Sequence, residues 1–180
     1  MTIYDKLLEA VEIPRFVKVH QKMVQSHIED PYRETEKQLA ESGALSAIRP
    51  GNSVCIACGS REIANLSEIV RAIVDGVKRA GGEPFLIPAM GSHGGATAEG
   101  QEEILLTYGL TEENVGAPIR SSMETVKIGE TENGLDVRID QYAAGAYVII
   151  LAARIKPHTD FRGPVESGLM KMISIGMGKQ

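Results

Sequence analysis

The stretch from Ser53 to Pro88 most constrains what this chain can fold into. Residues 53–57 (SVCIA) form an apolar run of strand length. Leu66, Ile69, Val70, Ile73, Val74 and Val77 then recur at i, i+3, i+4 and i+7, a stripe that predicts a helix over 66–80 with one face against a sheet. Gly81-Gly82 stops that helix, and residues 84–88 (PFLIP) supply a second strand. Two strands joined by a crossover helix pair in parallel, so the pattern is a βαβ unit.

The flanking segments extend this plan. Residues 3–10 read as a short helix, 16–23 as an extended segment and 33–47 as a charged helix, closed by the turn Arg49-Pro50-Gly51-Asn52. A further helix is expected over 97–108, with Thr97 as N-cap and Gly109 as stop; Gly100 stands where a capping box would need an acid, so the cap rests on the threonine alone. Residues 126–129 and 135–139 flank Thr131-Glu132-Asn133-Gly134, a hairpin signal. Residues 146–151 (AYVIIL) are continuously apolar, as expected of a central strand buried on both faces. The polar run Lys156 to Pro164 follows, then a helix beginning near Val165. The expected fold is α/β: a largely parallel, Rossmann-like sheet flanked by helices, with a β-hairpin insertion. At 180 residues it suits one domain.

Charge narrows the partners. A net charge of −5 argues against a nucleic-acid backbone or an anionic membrane, either of which favours a basic face. No apolar run approaches a membrane span and the N-terminus lacks the apolar centre of a signal peptide, so a cytoplasmic protein with a small-molecule ligand is expected. Cys55 and Cys58 form a C-x-x-C pair, readable as a redox pair or half a zinc site, but no second pair accompanies it.

In open α/β sheets ligands gather at the carboxyl ends of the strands. Three loops are expected there: Cys58-Gly59-Ser60-Arg61, Gly91-Ser92-His93-Gly94-Gly95, and Lys156-Pro157-His158. If their strands are parallel neighbours, Arg61, His93 and His158 converge. Two imidazoles suit acid–base work near neutral pH, and a guanidinium suits a forked grip on a carboxylate. Singly, each has a plainer reading: Arg61 pairing with Glu62 or Glu68, His93 capping the next helix, His158 as a loop residue. His20 and His27 have no comparable context and read as structural or surface residues. The glycines around His93 also allow a phosphate held by backbone N–H groups, although GSHGGATAEG matches no common nucleotide fingerprint.

Three segments carry a family resemblance. GSHGGATAEGQEEIL resembles the Gly-Thr-His loop and Thr/Glu-rich helix start of the nickel-pincer lactate racemases. ACGSREIANLSEIVRAIVDGVKRAGG resembles their arginine-bearing loop and helix, and ARIKPHTDFRGPVESGLMK resembles the Pro-His segment leading to the lysine that carries the cofactor. The resemblance covers roughly residues 50–180, in matching order and spacing. It implies a nickel pyridinium mononucleotide with two sulfur arms, attached covalently to Lys171. The α-hydrogen of a 2-hydroxy acid leaves as hydride to the pyridinium ring, and the 2-keto acid takes it back on either face. His93 and His158 are then the two general bases, Arg61 holds the substrate with Ser60 and Cys58 beside it, and Ser92, Gly94 and Gly95 accompany Lys171 at the cofactor.

The sequence departs from that family at definable points. Cys58 stands where an aspartate is usual, and the link DFRGPVESGLM between His158 and Lys171 is longer than the family's, which leaves Lys179 as a second candidate for the cofactor lysine. Asp160, Arg162 and Glu166 in that link suit a subgroup with another hydroxy acid. The nickel-ligating histidine of the resemblance lies further on, whereas no histidine follows His158 here. The expectation is an N-terminal catalytic domain or fragment of a two-domain protein, dependent on a C-terminal domain and on cofactor-building proteins, with no metal ligand of its own. Two other readings stand beside it: a nucleotide- or phosphate-binding domain without pincer chemistry, and a zinc or redox protein using Cys58, His93 and His158.

Overall fold

The computed structural model describes residues 2–11, 15–23, 26–60, 63–160 and 162–179, with Asp5 by its backbone alone. After α1 (Ile3–Leu8) and α2 (Pro31–Ser42), the βαβ unit runs as β1 (Ser53–Cys58), α3 (Leu66–Arg79) and β2 (Glu83–Pro88). Next come α4 (Ala98–Thr107), α5 (Glu112–Val115), the hairpin β3 (Thr125–Glu130) and β4 (Asp136–Asp140), α6 (Gln141–Ala144) and β5 (Val148–Ala152). Last is α7 (Leu169–Lys171), which runs into a π-helical turn over Met172–Gly176.

Three parallel strands lie in the order β2-β1-β5, and a separate antiparallel pair joins β3 to β4. This is the expected Rossmann-like α/β architecture with a hairpin insertion. Beyond β2, residues 118–120 add one parallel bridge, the Leu86 amide donating to Pro118 O at 2.9 Å and the Arg120 amide to Leu86 O at 2.8 Å. Strand alternation sorts the core: Val54, Ile56 and Cys58 face the layer of Val70, Val74 and Val77 from α3, while Cys55 and Ala57 pack with Phe85, Ile87, Ala143 and Met177. Each fully buried valine of α3 contributes about 1.5–3 kcal/mol, so the helix is held by that face.

Three expectations need correction. The strand buried on both faces is β1; β5 lies at the edge of this sheet, with Ile149 a third exposed. Continuous apolarity cannot separate the two positions, because an apolar residue is tolerated at an edge as well as in the middle. The charged helix expected over 33–47 is α2, which starts two residues earlier and ends at Ser42. Pro31 takes its first turn, Asp30 accepts from the Arg33 amide, and Gly43 ends it in the left-handed conformation at φ +65°. The helix expected from Val165 begins only at Leu169. Gly168 precedes it at φ +73°, ψ −143°, a backbone state that glycine alone adopts readily and that no helix can contain.

Other expectations hold. Thr97 caps α4 by accepting from the Gly100 amide, and Gly109 follows the helix at φ +75°. The hairpin turns at Asn133-Gly134, with Gly134 at φ +78°, and its register shifts between Lys127 and Gly129. Among the described residues, 16–23 pair with no strand, and Phe16 is 91% exposed. Among the described residues no helix is long and apolar enough to cross a membrane.

Candidate functional site

Because β2, β1 and β5 are parallel neighbours, the loops after them open on one edge of the sheet. There they enclose a cavity of about 360 Å3 lined by Ser60, Ser92, His93, Lys156 and Lys171, with Met90, Met172 and Ile175 as apolar wall. A second cavity of about 280 Å3 is lined by His158, Glu166, Met170 and Ser174. Lys171 and Ile175 line both. The two histidines therefore occupy neighbouring cavities with one lysine common to them.

His93 is held through both ring and backbone. Its Nδ1 lies 2.6 Å from Ser60 Oγ, and Tyr108 OH donates to the Ser60 carbonyl at 2.6 Å, which fixes the serine. A hydroxyl both donates and accepts. When Nδ1–H donates to Ser60, Nε2 is an acceptor in the neutral ring and a donor in the imidazolium, and the same hydrogen bond serves both states. The imidazole caps no helix, since Thr97 has that role.

Gly94 beyond His93 serves packing against α4, whereas Gly95 faces open space at φ +68°. Gly94 and Gly95 do not line the cavity. A Cβ on Gly100 would lie 2.1 Å from the Gly94 carbonyl oxygen, and one on Gly94 would lie 2.5 Å from the Gly100 carbonyl carbon. The loop thus sits directly on the first turn of α4, and Thr97 bonds the Gly100 amide at 3.1 Å. The close approach of Gly94 and Gly100 packs this part of the loop against the helix start, while the space beside Gly95 is open. An exposed glycine in a helix interior normally gains about 0.5–1 kcal/mol on replacement by alanine; Gly100→Ala is expected to do the opposite. It lowers the melting temperature and raises amide exchange over residues 91–97, and a stabilised variant would refute the packing argument.

His158 is organised by the long link. Glu166 accepts from the His158 amide at 3.1 Å and the Gly163 amide at 3.2 Å, with Arg162 at 3.4 Å from the same carboxylate. The Asp160 amide donates to His158 Nδ1 at 3.1 Å, so the neutral ring carries its proton on Nε2. Both the imidazolium and the other tautomer require that amide to release Nδ1. The bonds from His158 and Gly163 hold the Glu166 carboxyl below its ordinary range. A depressed carboxylate pKa stabilises the fold above the unfolded value, about 4.3, and that contribution is lost as pH falls through the folded value. Amide protection at His158 and Gly163 is therefore expected to fail only as pH falls below the ordinary carboxylate range, ahead of the β1 core, when followed by hydrogen exchange across an acid titration.

The remaining sequence candidates separate clearly. Lys179 is buried, its Nζ bonded to Pro88 O at 2.7 Å and paired with Asp140 Oδ2 at 3.1 Å, so it is a core residue, whereas Lys171 lines both cavities. Burial draws the Lys179 pKa down and the Asp140 carboxylate draws it back up. Cys58 is fully buried in the α3 layer and does not line the cavity; its thiol is pushed up to about 12 by burial. A thiol so far from thiolate is neither a ready ligand nor a nucleophile. Among the described residues no group of three or more His, Cys, Asp or Glu could hold a metal ion, and Cys58, His93 and His158 do not form one. Arg61 lies outside the described residues. His20 and His27 are exposed. Sequence reasoning gave no role to Arg154 and Lys156, which line the first cavity, or to Gln101, which lies fully buried behind it. Gln101 was detectable as the one polar residue in the stripe Gln101, Ile104, Leu105, Tyr108.

A Rossmann-like sheet with histidine-bearing loops and a lysine beside a cavity at the carboxyl ends of its strands defines an α/β domain with a candidate site at that edge. The lactate racemase N-terminal domain family matches residues 4–179, and the chain belongs to that family. No curated protein matches the chain.

Proposed function

We propose that the chain is the N-terminal catalytic domain of a 2-hydroxy-acid racemase or epimerase, acting in the cytoplasm and completed by a C-terminal domain. The observation that carries this reading is Lys171, common to two cavities of which one holds His93 and the other His158. An inversion at carbon needs proton-handling groups on two sides of one reacting centre. The family match supports the same chemistry.

The residues fit the organic part of a nickel-pincer mononucleotide. Arg154, Lys156 and Lys171 give the first cavity a cationic lining for a phosphate and acidic arms, and Lys171 offers an amine for covalent attachment. Ser92 is the contact from the His93 loop, in place of Gly94 and Gly95. The nickel itself finds no three-donor group among the described residues. When bound, such a group supplies the hydride acceptor. The chain supplies the rest: Arg61 grips the substrate carboxylate, and His93 takes or returns the hydroxyl proton at Nε2 with Nδ1–H held on Ser60. His158 does the same for the other enantiomer once the Asp160 amide releases Nδ1.

Intact mass of the parent protein, co-produced with cofactor-building enzymes and followed by peptide mapping, tests this reading. Added mass on Lys171 is the expected result. An unmodified Lys171, under conditions that load an established racemase, would overturn covalent attachment here.

A further inference from the structure

Gln101 is fully buried on α4, and its side chain bonds only to other segments. Nε2 donates to Gly91 O at 2.6 Å and His93 O at 3.2 Å, while Oε1 accepts from Lys179 Nζ at 3.2 Å. An ammonium has only donors, so it fixes the amide with Oε1 towards Lys179 and both N–H groups towards the loop carbonyls. Three oxygens surround that ammonium, from Pro88, Asp140 and Gln101. A further tie joins the Gly91 amide to Gly176 O at 3.2 Å, in the turn that follows Lys171.

We propose that Gln101 and Lys179 are positioning residues for the reaction above: Lys179 orients the Gln101 amide, and the amide holds the Gly91 and His93 carbonyls of the loop that the Gly91 amide ties to the turn following Lys171. The proposal rests on His93 being a proton-transferring group. Neither residue lines the cavity, so both act through the loop. Stability alone does not call for this arrangement, since apolar residues of similar volume often replace buried polar and charged groups without loss. A buried amide satisfied at every atom does specify one loop position.

The test uses the full-length parent protein with Gln101→Met, which keeps the volume but leaves the carbonyls of Gly91 and His93 without their donor. Imidazole nitrogen NMR reads the two histidines separately. The expected result is that the His93 Nδ1 signal moves away from its Ser60-bonded position while the His158 signals stay. In a parent that exchanges the α-hydrogen of a 2-hydroxy acid, kcat falls by up to about 100-fold with KM unchanged. Gln101→Asn, an amide one methylene short, gives a smaller change in the same direction and replaces the methionine variant should that fail to fold. Lys179→Arg, which keeps a cation with donors, retains most of the His93 signal. Unmoved His93 signals in a folded Gln101→Met or Gln101→Asn protein overturn the proposal. A displaced His93 in a parent that exchanges no hydroxy acid supports the positioning and counts against the racemase reading alone.

Discussion

On the racemase reading proposed above, alanine at His93 is expected to slow exchange of the α-hydrogen of a 2-hydroxy acid by about 100- to 10,000-fold and to leave the fold intact. The fold survives because the loop is held by backbone groups: the His93 amide donates to Met90 O at 3.2 Å and its carbonyl accepts from Gln101. Alanine preserves both. The rate falls because the pair of Ser60 Oγ and His93 Nδ1 keeps its hydrogen bond while Nε2 gains or loses a proton. Alanine at His158 is expected to be as damaging to racemisation, and assaying each enantiomer separately shows which hand each imidazole serves. A His93→Ala enzyme that still exchanges both enantiomers at the parental rate would remove His93 from the chemistry.

What the sequence made legible follows from the range of the interactions involved. The βαβ unit, the hairpin at Asn133-Gly134 and the Thr97 cap are set by neighbours within one or two turns, and each formed as read. The convergence of the His93 and His158 loops followed from parallel pairing alone. Cys58 was harder, because alternation puts it on the same face as Val54 and Ile56 but does not say that this face is the α3 layer rather than the ligand side. Gly168 was visible only as a glycine; its backbone state, which delays α7 and gives residues 158–166 to the Glu166-bonded link, is set by tertiary packing. The contacts of Lys179 with Asp140, Gln101 and Pro88 join segments far apart in sequence, and no local pattern announces them.

Those long-range contacts set the second large effect, on stability. Lys179→Met is expected to cost about 3–5 kcal/mol, because it leaves the fully buried Asp140 carboxylate without a counter-charge. Asp140 cannot turn away, since its Oδ1 caps α6 by accepting from the Tyr142 amide at 2.8 Å and the Ala143 amide at 3.1 Å. Its Oδ2 lies 3.1 Å from Nζ and has no other partner among the described residues, so the Lys179 ammonium is what compensates that oxygen. Against a total stability of about 5–15 kcal/mol, such a loss shifts a denaturant midpoint well beyond error. Adding Asp140→Asn to Lys179→Met removes the stranded charge and keeps an oxygen for the α6 cap, and it is expected to recover more than half of the loss. Equilibrium unfolding of the two single variants and the double variant closes the cycle and yields the coupling between the two residues. A Lys179→Met penalty below about 1 kcal/mol, the range of an exposed ion pair, would mean that water reaches Asp140 and that the pair does not fix the base of the His93 loop.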